Sequence, residues 1–259
     1  MSNIRIQLLN VINKEDRGSM NFIIARYILE NLERKRAVST KELAGECNVS
    51  KSSISRFCRK LGYEDFTELQ YAIASYNSFV DRRFANLDGD DIGDLTQNYF
   101  QCIEDVSVHF KKLPGMKTLE RLIEDIHDYK EVVLMGQVQS SFSAFSLQHN
   151  LTLLRKFVYS TQDFNEQKEL LETLDDSSLV IIFSAGGRFI ERVLDGMSVM
   201  KRRHLPKIYM ITASKTKHLP FVHTYIELMD SYSYISPVIL EIYSNLIPLI
   251  YRKKYIETS

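Results

Sequence analysis

The stretch Val180-Ile-Ile-Phe-Ser-Ala-Gly-Gly-Arg-Phe189 passes from four large apolar residues into a Ser, a Gly pair and an Arg. That order suits a buried strand feeding a turn that binds an oxyanion. Ser184 offers a hydroxyl, Gly186 and Gly187 leave backbone N–H groups accessible, and the Arg188 guanidinium can take phosphate oxygens two at a time. Taken alone, Arg188 is equally a solvated residue at a helix start.

A second stretch carries chemistry of another kind. In Thr40-Lys-Glu-Leu-Ala-Gly-Glu-Cys-Asn-Val-Ser-Lys-Ser-Ser-Ile-Ser-Arg-Phe-Cys-Arg-Lys-Leu-Gly62, Leu43, Ala44 and Cys47 form the inner face of one short helix. Asn48 stands where a tight interhelical turn needs positive φ, Val49 plugs the corner, and Ser50 caps the next helix. On that helix Ile54, Phe57, Cys58 and Leu61 share one sector. Ser52, Arg56 and Arg59 therefore point outward, and Lys51 and Ser53 flank the exposed first turn, where a recognition helix meets bases and phosphates in the major groove. Together with Thr40 these six are the expected DNA contacts. A charged outer face is common on solvated helices, so the agreement of turn, caps, small residue and outward bases carries the reading.

Other chemistries lack their residues. His109, His127, His149, His204, His218 and His223 are dispersed without the spacing of a metal helix, and no nucleophile elbow, phosphate-binding Walker loop or Cys–His setting occurs. No catalysis, metal or cofactor is expected. The 33 basic and 33 acidic residues cancel over the chain, but residues 31–63 hold eight Lys/Arg against three acids, an excess suited to a polyanion. Residues 81–131 hold twelve acids and seven bases and read as a solvated connector, within which 93–128 are expected to form helices that lead into the next domain, with its sheet as a possible packing surface. Three cysteines cannot close a disulfide set, and neither a signal peptide nor an uncharged apolar span of about 18 residues is evident, so a cytoplasmic, membrane-free protein is expected.

The elements that must position these residues divide into two kinds. The first 80 residues have helical spacing almost throughout, with Phe22, Ile23, Tyr27, Ile28 and Leu32 as the apolar stripe of one helix. From residue 131 short apolar runs, 132–135, 157–159, 179–183, 208–211 and 225–229, alternate with helical segments at 140–155, 189–203 and 236–251. That alternation implies crossover units and a parallel sheet. The expected architecture is an all-α helix-turn-helix domain at 1–80, a helical connector at 81–130, and a three-layer α/β domain at 131–259. In the last of these, Tyr232, Tyr234, Ile239, Ile242, Tyr243, Leu246, Leu249 and Ile250 are read as a C-terminal helix and its approach, packed on the sheet or on a second subunit.

Val49-Ser-Lys-Ser-Ser-Ile-Ser-Arg-Phe-Cys-Arg-Lys-Leu-Gly62, followed by Phe66-x-x-Leu69, closely resembles the N-terminal domain of the RpiR family of bacterial transcriptional regulators. The resemblance covers about residues 20–76 and implies a C-terminal sugar isomerase (SIS) domain that senses phosphosugars, which the later strand pattern fits. It also implies operator DNA as partner and a homodimer or dimer of dimers, since paired half-sites need two recognition helices.

The SIS resemblance extends the oxyanion reading to more residues. Family members show Gly-x-Gly-x-Ser after the first strand, and this chain has Gly136-Gln-Val-Gln-Ser140, with Val138 for the second Gly. A β-branched residue there resists positive φ and crowds a phosphate. The family's Ser-x-Ser-Gly-x-Thr-x-Glu reads Ser184-Ala-Gly-Gly-Arg-Phe-Ile-Glu191: Ser184, Gly187 and Glu191 match, while Gly186 and Phe189 replace two hydroxyls. The third motif reads Lys217-His-Leu-Pro220 where Ser-Pro-Leu-Ala is usual. The implied ligand set is Gly136, Ser140, Ser184, Gly186, Gly187, Arg188 and Glu191. Two readings stay open: Arg188 and the loop amides replace the lost hydroxyls, or the domain has lost the family's ligand and persists as a dimerisation scaffold or binds something else. A DNA-binding regulator of sugar-metabolism genes is the function expected; a sugar-phosphate isomerase and a non-catalytic interaction scaffold are the alternatives.

Overall fold

The computed structural model describes residues 4–32, 38–74, 89–111, 115–187, 189–193, 204–230 and 233–257. The chain forms two compact units, Met1–Val80 and Asp81–Ser259.

The first unit contains α1 (Ile4–Lys14), α2 (Met20–Asn31), α3 (Thr40–Glu46), α4 (Lys51–Lys60) and α5 (Phe66–Ala74). Their apolar faces meet in one core that includes Leu8, Ile24, Ala25, Ile28, Leu43, Ile54, Phe57, Cys58 and Leu69. The α2 stripe is rotated from the expected one. Ile24, Ala25 and Ile28 are buried and Ile23 is exposed, because α1 packs on α2 from a side that local spacing does not reveal.

Both ends of the α3–α4 turn have a specific cause. Asn48 has φ 51°, and the Val49 and Asn48 amides donate to the carbonyls of Ala44 and Gly45, at 3.0 and 3.2 Å. This is the paired closure in which one residue at positive φ stops a helix, a role Asn fills without a large steric cost. Two residues later Ser50 Oγ accepts the Ser53 amide at 3.1 Å and starts α4. The same closure ends α4: Gly62 has φ 88°, and Tyr63 donates to the Cys58 carbonyl at 3.0 Å.

The second unit is built on a five-stranded, all-parallel sheet of order β2-β1-β3-β4-β5. Its strands are β1 (Glu131–Gly136), β2 (Tyr159–Ser160), β3 (Ser178–Ser184), β4 (Lys207–Thr212) and β5 (Thr224–Glu227). β3 is buried at every residue, as a central parallel strand covered on both faces must be. Alternate side chains serve the two faces. Leu134, Ile181, Phe183, Tyr209 and Ile211 pack with α7 (Met116–Asp128), α8 (Gln139–Leu153) and α11 (Ser236–Tyr255). Met135, Val180, Ile182 and Met210 pack with α9 (Phe164–Thr173) and α10 (Phe189–Val193). Three layers result. The helical reading of 194–203 and the aromatic Tyr232 lie outside the described residues.

The stretch 81–131 read as a connector contains α6 (Ile92–Lys111) and α7, and both contribute to the core of this unit: Val106 from α6, and Leu119, Leu122, Ile123 and Ile126 from α7. Asp125, one of the acids of that stretch, is not solvated. Its carboxylate meets Lys207 Nζ at 2.7 Å and accepts from the Tyr209 hydroxyl at 2.5 Å, fastening α7 to β4. Burial and the adjacent carboxylate push the Tyr209 hydroxyl far above the usual phenol range, so it stays a donor.

Candidate functional site

On α4, Lys51, Ser52, Arg56 and Arg59 are exposed while Ile54, Phe57 and Cys58 are wholly buried. Residues 52, 56 and 59 recur at four and three positions and so line one outer face. Arg56 Nη2 lies 3.4 Å from Ser53 Oγ, and Arg59 Nη2 donates to Ser55 Oγ at 3.2 Å. Both guanidinium groups keep most of their donors for an external acceptor. Thr40 opens α3 half-buried, next to the Ser39 cap.

Ser53 departs from the expectation. It is only 6% exposed, its Oγ sits 2.9 Å from Ser50 Oγ and donates toward Met20 Sδ at 3.5 Å. It belongs to the cap of α4 and its contact with α2, not to the outer surface. Lys60, counted in the local positive excess, is engaged by Glu15 on the turn after α1. That pairing holds the Glu15 carboxyl below its usual range, Asn21 adding to the effect.

The second site lies beyond the carboxyl ends of β1, β3 and β4, where open parallel sheets hold ligands. Gly136 is required by packing, since a Cβ there would stand 2.5 Å from the Ser140 carbonyl oxygen. Ser140 donates its amide to the Gln137 carbonyl at 3.1 Å, closing a turn in which Val138 has φ 55° and ψ −118°. That is the conformation of the first central residue of a type II′ turn, ordinarily a glycine position. Valine thus keeps the backbone path its missing glycine would have taken, with its side chain 44% exposed.

The loops are stitched together by hydroxyls. Ser140 Oγ accepts the Ala185 amide and Ser184 Oγ accepts the Phe189 amide, each at 3.1 Å. In both the oxygen serves as acceptor, so these contacts do not consume the hydroxyl proton. Gly187, at φ 68°, lies against Thr216, whose Oγ1 donates to its carbonyl at 3.3 Å. Gly186 is half-buried beside it. Phe189, in place of the family's Thr, is 3% exposed in the core under α10 and does not face the loops as a ligand-binding hydroxyl would. Arg188 and the side chain of Glu191 lie outside the described residues.

The third loop is more ordered than its departure from the family motif suggests. Glu227 Oε1 accepts the Thr216 amide at 3.0 Å and lies 3.1 Å from His218 Nε2, while the His218 ring stacks on Tyr225 at 4.0 Å. Tyr225 and Glu227 are two apart on β5 and share a face, which is the one sequence signal for this strap. Nothing in sequence spacing points to Thr216 itself. Among the described residues no group of three or more His, Cys, Asp or Glu is arranged to hold a metal, and no helix is long and apolar enough to cross a membrane.

The two units define a class: a helix-turn-helix domain joined to a parallel α/β domain with its loop crevice at the strand ends. Residues 6–79 match the helix-turn-helix domain of the rpiR family. It is 23% identical over 192 residues to an uncharacterized HTH-type transcriptional regulator of Providencia stuartii, covering 72% of this chain and 67% of that one. Among solved structures, Vibrio vulnificus NanR complexed with ManNAc-6P is similar over 98% of this chain and 93% of its own, at 18% identity and a TM-score of 0.50. The sugar isomerase domain of an RpiR transcription factor from Sphaerobacter thermophilus is similar over 62% of this chain and 91% of its own, also at 18% identity and a TM-score of 0.50. At that identity these two show a likeness of fold: the C-terminal unit shares the parallel α/β architecture of those structures.

Proposed function

We propose that this protein is a transcriptional regulator of sugar-metabolism genes that binds operator DNA through α4 and a sugar-derived effector in the crevice of its second unit. The outward face of Lys51, Ser52, Arg56 and Arg59, set by the Asn48 turn, carries the DNA half of the reading. Arginine and lysine there supply phosphate and base-edge contacts, with Thr40 at the start of the preceding helix contacting the backbone. Such a protein acts in the cytoplasm and performs no catalysis.

For the effector half, the support is that Gly136, Ser140, Ser184, Gly186 and Gly187 retain the turn geometry and two hydroxyls of a sugar-phosphate crevice. The ManNAc-6P held by NanR gives the ligand class, a phosphorylated sugar. Arg188 and Glu191 remain in the proposed set on sequence grounds. Val138 and Phe189 favour the rival reading, a domain that has lost this ligand and serves only to dimerise.

One set of measurements tests both halves. A mobility-shift assay on DNA upstream of neighbouring genes should give a shift weakened by salt, and Arg56→Ala and Arg59→Ala should each weaken it and reduce the salt slope by roughly one. Variants that bind every DNA like the wild type would refute the DNA reading. Thermal shifts with a sugar-phosphate panel, with and without operator, test the effector. No stabilisation by any member would favour the scaffold, and strong stabilisation unaffected by Arg188→Ala would remove Arg188 from the set.

A further inference from the structure

Two polar atoms beside the crevice are left unsatisfied by the fold. Gln167, on α9, is wholly buried, and its Nε2 donates to the Gly136 carbonyl at 2.8 Å and the Thr161 carbonyl at 2.6 Å. Those bonds fix the amide's orientation, since the reverse would set its oxygen against two carbonyl oxygens. The remaining Oε1 is buried with no hydrogen-bond partner among the described residues. Gln137 follows Gly136 directly and has the complementary defect, a buried Nε2 with no partner.

An unpaired buried donor or acceptor is destabilising, and native folds leave few of them. Here one of each kind belongs to a residue that adjoins Gly136, Gln137 by sequence and Gln167 by its hydrogen bond, at the end of β1 where the ligand crevice of a parallel sheet opens. A phosphate or carboxylate oxygen only accepts, and an ammonium only donates. A hydroxyl does both. We infer that Gln137 and Gln167 form a subsite for a hydroxyl of the ligand, Gln137 Nε2 donating to its oxygen and Gln167 Oε1 accepting its proton. The subsite rests on the effector reading above and deepens it: Ser140, Ser184 and the loop amides take the charged end, and the glutamine pair reads the polyol.

Gln137→Leu tests this in the full-length protein, because it removes an unpaired donor while keeping the side chain's bulk. The probes are inorganic phosphate, glucose 6-phosphate and ManNAc-6P, followed by thermal shift and titration calorimetry. The expected result is a melting temperature without ligand that is unchanged or higher, an undiminished response to inorganic phosphate, and an affinity for at least one sugar phosphate lowered by about tenfold. Full sugar-phosphate affinity in Gln137→Leu would overturn the subsite and leave the effector reading standing. A ligand-free melting temperature several degrees lower would make Gln137 a structural residue and also overturn it. If no probe shifts the wild type, the effector reading fails and takes the subsite with it.

Discussion

Val138 is a residue at which one substitution is expected to move stability and ligand binding in the same direction. At φ 55° and ψ −118° a β-branched side chain is strained by about 1–3 kcal/mol, and with 44% of it exposed little burial is recovered. Glycine removes the strain at an entropic cost of about 0.5–1 kcal/mol. Val138→Gly is therefore expected to raise the urea midpoint by an amount corresponding to about 1 kcal/mol, and to strengthen sugar-phosphate binding by clearing the approach. A lower midpoint would mean that contacts of the valine outweigh its strain. Cys58 gives a pH-dependent prediction. Burial, with Asp65 adding to it, pushes its thiol up to about 11. A thiol raised in the fold contributes stability that is complete below its ordinary value and lost as pH rises through about 11. Alkylation of Cys58 in the native chain, mapped by mass spectrometry, should stay slow from pH 7 to 9 and become fast only on unfolding. Fast labelling at pH 8 would contradict this placement.

At the scale of elements, what was legible in the sequence is what is decided locally. The Asn48 turn, the Ser50 cap, the inward set of Ile54, Phe57 and Cys58, and the parallel strands are all consequences of neighbours within a few residues. Ser53 is drawn inward by Met20, 33 positions away, and Asp125 meets residues 82 and 84 positions downstream, separations that local spacing does not convey. The same distance hides Gln167 and Thr216 from any motif. Two variants probe these two kinds of determinant. Asn48→Ala should cost about 1 kcal/mol while Asn48→Gly should not, because only φ at the α3–α4 turn is at stake. Equal loss in both would mean the Asn side chain itself matters. Asp125→Ala should cost more, about 2–3 kcal/mol after allowing for the partial exposure of Lys207, since it strands a cation and a buried hydroxyl together. Denaturant unfolding followed by a probe in the second unit measures it, and a loss below about 1 kcal/mol would mean solvent replaces the carboxylate.

At the scale of the molecule, the second unit exposes several large apolar side chains on its helices. On α8, Phe142, Phe145 and Leu153 are 64%, 57% and 69% exposed, and α11 next to it exposes Leu249 at 64%. On α6, where Val106 is the buried residue, Ile92 and Phe100 are 83% and 59% exposed. Isolated exposed apolar residues are ordinary, but Phe142 and Phe145 are three apart on one helix face, and the Asn150–Asn245 hydrogen bond joins α8 to α11 beside them. On the proposed DNA-binding reading a second copy of the chain is the expected occupant, because an operator with two half-sites turns two weak contacts into one strong one. The double variant Phe142→Asp with Phe145→Asp sets charge on that face without touching any core residue. Sedimentation velocity should show the wild type as a dimer and the variant as a monomer at the same micromolar concentration. Operator affinity should fall by at least tenfold while the salt-dependent binding of a single half-site stays as it was. A variant that remains dimeric would move the interface elsewhere, with α6 the next face to charge. A monomeric variant with full operator affinity would separate self-association from DNA recognition altogether.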